Sequence, residues 1–122
     1  MSQDWNTRTK LVHQGARRSQ YGEVAEAIYM TQGFVYPTAE AAEARFLGAG
    51  PDEFIYARYG NPTVAAFEER IAAIERTEDA FATASGMAAV SGALMAMLRA
   101  GDHVVAARAL FGSCLYVLEN VL

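Results

Sequence analysis

The stretch Ala80-Phe81-Ala82-Thr83-Ala84-Ser85-Gly86-Met87, which continues AAVSGALMAMLRAGDHVVAA to Ala107, decides the fold class. Ala80 to Thr83 is a short apolar run, read as a buried strand. Small residues then turn the chain. Gly86 to Arg99 predicts a helix that is apolar nearly all round, through Met87, Val90, Leu94 and Met97, as in a helix covered on several sides. Ala100-Gly101-Asp102 is a turn, and His103-Val104-Val105-Ala106-Ala107 reads as a second strand. Strand, helix, strand is the unit of an α/β fold. Ala80 to Leu98 carries no charge and has the nominal length of a membrane span. Thr83, Ser85, Gly86, Ser91 and Gly92 dilute it and no aromatic belt flanks it, so a buried strand and helix are the better reading.

Outward from this stretch, the pattern stays α/β. Gly112 to Leu122 begins another helix, with Leu115, Leu118 and Leu122 on one stripe. Upstream, Asn61-Pro62 is a helix start: Asn accepts a hydrogen bond from a free backbone N–H, and Pro suits the first helical position. Val64, Phe67, Ile71 and Ile74 share one face of a helix running to Glu75 or Arg76, with Glu68, Glu69 and Arg70 off it. Gly48 to Gly60 is a loop containing Gly50-Pro51-Asp52. Thr38, Glu40 and Gly48 mark a short helix over Ala39–Leu47. Residues 1 to about 37 lack sustained periodicity and read as an extended arm with short ordered pieces, expected to pack on a neighbour. Two strands do not complete a covered parallel sheet. The pattern also stops inside a helix, so we expect the front part of a longer protein.

Composition sets the bounds. The chain has 122 residues, 52% of them apolar and 20% charged, with a formal net charge of −4. That is enough apolar material for a core, and without a Lys/Arg cluster nucleic acid is an unlikely partner. The single Cys114 cannot form an internal disulfide, which fits a reducing cytoplasm. Met1-Ser2-Gln3-Asp4-Trp5 is not the start of a signal peptide. His13, His103 and Cys114 have no metal-ligand spacing, and no nucleophile–base pair is apparent.

Ser85-Gly86-Met87 is the first candidate site. The first N–H groups of the helix that starts there lack intrahelical partners, and with the helix dipole they suit an anion such as a phosphate. Gly86 lets an anion approach the backbone. Ser85 is either a further donor or an ordinary N-cap. Tyr56-Ala57-Arg58-Tyr59-Gly60-Asn61-Pro62-Thr63 is the second. Arg58 can grip a phosphate with a planar fork of donors and Tyr56 can add one O–H bond, although a surface Arg and a packed Tyr would look the same. A nucleotide-binding module using the Gly86 helix start is the disfavoured rival: Ala84 to Ala89 lacks the Gly-x-Gly-x-x-Gly pattern, and the second strand ends in Ala106-Ala107-Arg108 without an acid.

These two segments resemble the phosphate-handling segments of the cystathionine gamma-synthase (transsulfuration) family of pyridoxal-phosphate enzymes. The octet is similar to that family's Tyr-Ser-Arg-x-x-Asn-Pro-Thr, with Ala57 in place of Ser. The resemblance runs from about Thr7 to Leu122 and covers roughly the first third of a family member. It implies a fold-type I pyridoxal-phosphate-dependent transferase, present as an N-terminal arm plus the start of the large domain, an incomplete and mostly parallel sheet with flanking helices. Residues 1–60 would be the arm and loop that contact a neighbouring subunit, and 61–122 the start of the cofactor-binding domain.

The resemblance also implies roles. Gly86 and Met87, with Ser85 as a weaker donor, would hold the cofactor phosphate. Tyr56 and Arg58 would reach the phosphate of the neighbouring subunit in a dimer, within a homotetramer. Phe111 would stack on the cofactor ring where many relatives carry a Tyr. Phe111-Gly112-Ser113-Cys114 resembles the O-succinylhomoserine sulfhydrylases, which make homocysteine from O-succinylhomoserine and sulfide in methionine biosynthesis. Cystathionine gamma-synthase and methionine gamma-lyase are the alternatives within the family. A non-catalytic chain acting only by subunit association is the alternative outside it. The only lysine, Lys10, precedes both motifs, whereas the family's cofactor lysine follows them, so we expect no turnover from this chain alone.

Overall fold

A computed structural model describes residues 5–50 and 52–122. Met1 to Asp4, on which the signal-peptide reading rests, and Pro51 of the predicted Gly50-Pro51-Asp52 loop lie outside the described residues. Among the described residues five helices follow in order: α1 (Thr7–His13), α2 (Ala39–Leu47), α3 (Pro62–Glu75), α4 (Gly86–Met97) and α5 (Gly112–Asn120). The chain divides into two compact units, Met1–Phe81 and Ala82–Leu122.

Most helix starts are set by a local side chain. Asn6 accepts from Thr9 N at 3.0 Å, Thr38 from Ala41 N at 3.1 Å, and Asn61 from Thr63 N at 2.8 Å. Each removes one of the orphan donors at a helix start. The predicted bounds of α2 hold, and α3 runs from Pro62 to Glu75 as expected. Its end is a left-handed Arg76, φ 59°, after which Thr77 N returns to Ala72 O at 3.0 Å. Helix α1 has no counterpart in the reading of the arm. It is under two full turns, too short to show a period, and Asn6 is its one local signal.

In the first unit the arm, expected to pack on a neighbour, seats on α3 of its own chain. Helix α1 packs on α3. Beyond it, Arg70 Nε donates to Gln14 O at 2.8 Å and the Arg70 guanidinium pairs with Glu26. Arg17 bridges Asp52, at 3.1 Å, and Glu69. Burial pushes the Arg17 guanidinium down, but the hydrogen bonds to Glu69 and Asp52 outweigh it, so its pKa lies above the ordinary arginine value. The docked face of α3 therefore carries Ala66, Glu69 and Arg70. Ala66 and Ala72 are buried, whereas Val64 and Phe67 of the predicted apolar face are exposed.

In the second unit α4 packs on α5. Met87, Val90 and Leu94 form a half-buried stripe, and Met95 and Met97 are exposed, so α4 is covered on one side where several were expected. Neither Ala80–Thr83 nor His103–Ala107 joins a ladder, and the described residues contain no strand beyond an isolated antiparallel bridge, Gly33 to Tyr56. A strand exists only through a ladder of hydrogen bonds to a neighbouring strand, and neither segment takes part in one among the described residues. Their central residues show it: Phe81 is 84% and Val105 89% exposed.

Gly15 is where the arm turns onto α3. Its φ is +71°, and a Cβ there would lie 2.8 Å from the Ala66 carbonyl oxygen. Gly22 has a similar φ of +63° but open space around it. Gly22→Ala should cost only the left-handed backbone strain, about 1 kcal/mol. Gly15→Ala should cost clearly more, because the collision unseats the arm. Urea unfolding midpoints compare the two, and equal midpoints would mean that the arm is not held against α3.

Candidate functional site

The six candidate residues fall in two groups, one in each unit. In the second unit Ser85 is extended, with φ −160° and ψ 159°, and its Oγ accepts from Ala88 N at 3.1 Å. Its carbonyl accepts from Ala89 N at 3.0 Å and from the Thr83 hydroxyl at 2.8 Å. Ser85 is thus the N-cap of α4, the plainer of its two sequence readings, with its hydroxyl proton still available to donate. The N–H groups of Gly86 and Met87 have no partner among the described residues. A Cβ on Gly86 would find no atom within 4 Å. Two free donors, the positive end of a helix dipole and an unobstructed approach together fit a phosphate ester.

Phe111 opens α5. Its carbonyl accepts from Cys114 N at 2.8 Å and Leu115 N at 3.1 Å, which fixes its backbone, while its ring is 71% exposed. The ring is not spent on packing within the chain and can take a planar partner.

In the first unit Tyr56 begins a tight turn: Tyr59 N and Gly60 N both donate to its carbonyl, at 2.9 and 3.1 Å. Arg58 projects from this turn. Its guanidinium carbon lies 4.5 Å from the Tyr59 ring centre and 5.6 Å from that of Tyr56. Cation–π contact orients the fork over ring faces and leaves its N–H edges free for an anion. Arg58 makes no ion pair among the described residues, unlike Arg17, Arg45 and Arg70, which face acids.

Sequence reasoning missed how this turn is supported. Asn61 is 7% exposed, and besides capping α3 its Nδ2 donates to Tyr29 O at 2.9 Å. Thr63 Oγ1 accepts from Tyr29 N at 2.9 Å. Both backbone groups of Tyr29 are therefore held by side chains at the start of α3. Nothing local in the sequence signals a partner so far upstream.

A cavity of the second unit, about 400 Å³, lies between Leu98, Arg99 and Val104 on one side and Leu115, Leu118 and Leu122 on the other. It is beyond the C-terminal end of α4, and none of the candidate residues lines it. The free donors lie at the opposite end of α4. No helix among the described residues is long and apolar enough to cross a membrane.

Residues 8–122 match the family described as Cys/Met metabolism PLP-dependent enzyme. The chain is 55% identical, over 91% of its length, to an O-succinylhomoserine sulfhydrylase of Mycobacterium tuberculosis, covering 27% of that protein. It is 44% identical, over 90% of its length, to an L-methionine gamma-lyase of Fusobacterium nucleatum, again covering 27%. Its backbone matches, with a TM-score of 0.89 and 25% identity, a protein of Campylobacter jejuni assigned as an O-acetylhomoserine (thiol)-lyase and solved with N'-pyridoxyl-lysine-5'-monophosphate. That match covers 97% of this chain and 29% of the other. The chain thus spans just over a quarter of the length of the curated relatives it matches.

The two roles of Ser85 separate by substitution. Ser85→Ala loses the cap and should cost about 1 kcal/mol. Ser85→Asp keeps a capping oxygen and a favourable dipole contact, so stability should hold, but its charge sits beside the free donors and should abolish phosphate binding there. Thermal unfolding with and without inorganic phosphate reads both effects. Phosphate stabilisation that survives Ser85→Asp would remove the start of α4 as the anion site.

Proposed function

We propose that this chain, which belongs to the Cys/Met metabolism PLP-dependent enzyme family, forms the phosphate-holding part of an O-succinylhomoserine sulfhydrylase. The 55% identity to the Mycobacterium tuberculosis enzyme is the observation that carries this reading. The reaction is a replacement at the gamma carbon: the C–O bond to succinate breaks, a C–S bond to sulfide forms, and homocysteine and succinate leave. Pyridoxal phosphate, when bound, supplies the electron sink that makes the neighbouring protons labile.

The residues of this chain bind and orient. Gly86 N–H and Met87 N–H donate to phosphate oxygens, with the Ser85 hydroxyl proton as a further donor. Arg58 and Tyr56 contribute their fork and O–H to the phosphate of a neighbouring subunit, which makes the working protein a dimer, within a homotetramer. Residues 1–60 serve that contact and residues 61–122 begin the cofactor-binding domain. The ring of Phe111 covers one face of the cofactor. It has no hydroxyl and cannot carry a proton, which favours replacement over the elimination of a methionine gamma-lyase. The only lysine, Lys10, lies in α1, ahead of both motifs, and is not offered as the covalent anchor. The chain alone is therefore inactive. The reduced, lone Cys114 accords with a cytoplasmic setting.

The isolated chain, given pyridoxal phosphate, O-succinylhomoserine and sulfide, should form no homocysteine. A longer protein that carries it should release homocysteine and succinate in equal amounts. Homocysteine from the isolated chain would overturn the assignment of inactivity. Ready formation of 2-oxobutyrate and ammonia from methionine by the longer protein would favour the lyase instead.

Phe111→Tyr restores the missing hydroxyl. It should raise 2-oxobutyrate formation relative to homocysteine, measured on one substrate with and without sulfide. An unchanged ratio would mean that Phe111 does not face the reacting carbons.

A further inference from the structure

We propose that Asn61 and Thr63 are positioning residues for the Arg58 turn, acting through the backbone of Tyr29. The geometry is a closed circuit within the first unit. Asn61 Nδ2 donates to Tyr29 O and Tyr29 N donates to Thr63 Oγ1, both at 2.9 Å. The arm then runs to Gln32, whose carbonyl accepts from Ala57 N at 2.8 Å, and to Gly33, which bridges to Tyr56. From Ala57 the chain passes through Arg58 back to Asn61. The Arg58 turn is thus tied at one end to the helix through Asn61 and at the other to an arm that Asn61 and Thr63 hold.

This matters because the turn's other ties are local or at its entry: Tyr59 N and Gly60 N donate to Tyr56 O, and the Tyr36 hydroxyl donates to Ile55 O at 3.3 Å. Among the described residues Arg58 faces the rings of Tyr56 and Tyr59, and an anion-binding fork is useful only where its backbone is placed. Asn61 is buried and both ends of its amide are committed, so the loss of either bond leaves a polar group unpaired. The functional part of the proposal rests on the reading that Arg58 binds the cofactor phosphate; the mechanical part does not.

Asn61→Asp separates the two tasks of this side chain. It keeps the oxygen that caps α3 and suits the helix dipole. It loses the donor to Tyr29 and turns an oxygen towards that carbonyl. Thr63→Val removes the acceptor for Tyr29 N at nearly constant shape, and Thr63→Ser restores it. In the holoenzyme that carries this chain, pyridoxal phosphate dissociation is followed spectroscopically and amide exchange at Ala57 is followed alongside the interior amides of α3.

The dissociation constant should rise on the order of tenfold in Asn61→Asp and Thr63→Val, and return close to the parent value in Thr63→Ser. Asn61→Asp should add little in an Arg58→Ala background, because both act on one contact. Ala57 should exchange faster while the interior of α3 does not. Full multiplicative effects of Asn61→Asp and Arg58→Ala, or faster exchange throughout α3, would overturn the proposal by showing a merely structural role. Unchanged Ala57 exchange in Asn61→Asp would overturn it directly. Should Arg58→Ala leave cofactor release unchanged, the phosphate reading falls, and the Ala57 amide still decides whether Asn61 holds the turn.

Discussion

The unpaired N–H groups at the start of a helix are the constraint around which this chain is organised. At α1, α2, α3 and α4 a side-chain oxygen takes one of them, from Asn6, Thr38, Asn61 and Ser85 respectively. What is done with the remaining capacity differs. At α3 the cap residue also has a donor, and it reaches across to the arm. At α4 the cap is a serine beside a glycine, the N–H groups of Gly86 and Met87 have no partner among the described residues, and the space that a Gly86 Cβ would fill is open. The first arrangement builds structure and the second leaves a place for an anion.

Charge is distributed by the same economy. Arg17, Arg45 and Arg70 are paired with carboxylates and fasten the first unit together. Arg17 and Arg70 are partly buried, and the buried Arg17 Nη1 has no hydrogen-bond partner among the described residues, which offsets part of what its two ion pairs contribute. Arg58 is held over the faces of Tyr56 and Tyr59. A guanidinium stabilised by rings keeps its hydrogen-bonding edges for a ligand, which one already paired with a carboxylate does not.

Apolar residues are far more plentiful than the burial this chain gives them. Only Ala66 and Ala72 are buried apolar side chains among the described residues, and Phe81, Val105 and Met97 are largely exposed. The segments read as strands illustrate the cause. A helix closes its own hydrogen bonds, so α4 and α5 form from their own residues. A parallel strand takes its bonds and its cover from elements on either side, and Ala80–Thr83 and His103–Ala107 join no ladder among the described residues.

The sequence by itself determined the helices that carry the candidate site residues. The capping serine of α4, the Asn-Pro start of α3 and the limits of α2 are all legible because a cap and the N–H it satisfies lie within three residues of each other. The resemblance of Tyr56–Thr63 and Ser85–Met87 to cofactor-binding segments was legible for the same reason, and the match over residues 8–122 agrees with the family it named. Tertiary structure alone decided that the arm seats on α3, that Gly15 must stay a glycine, that the docked face of α3 carries Glu69 and Arg70 in place of Val64 and Phe67, and that Asn61 grips Tyr29. Each of these joins residues distant in the chain, and such contacts follow from the path of the backbone through space, which no local pattern of side chains encodes.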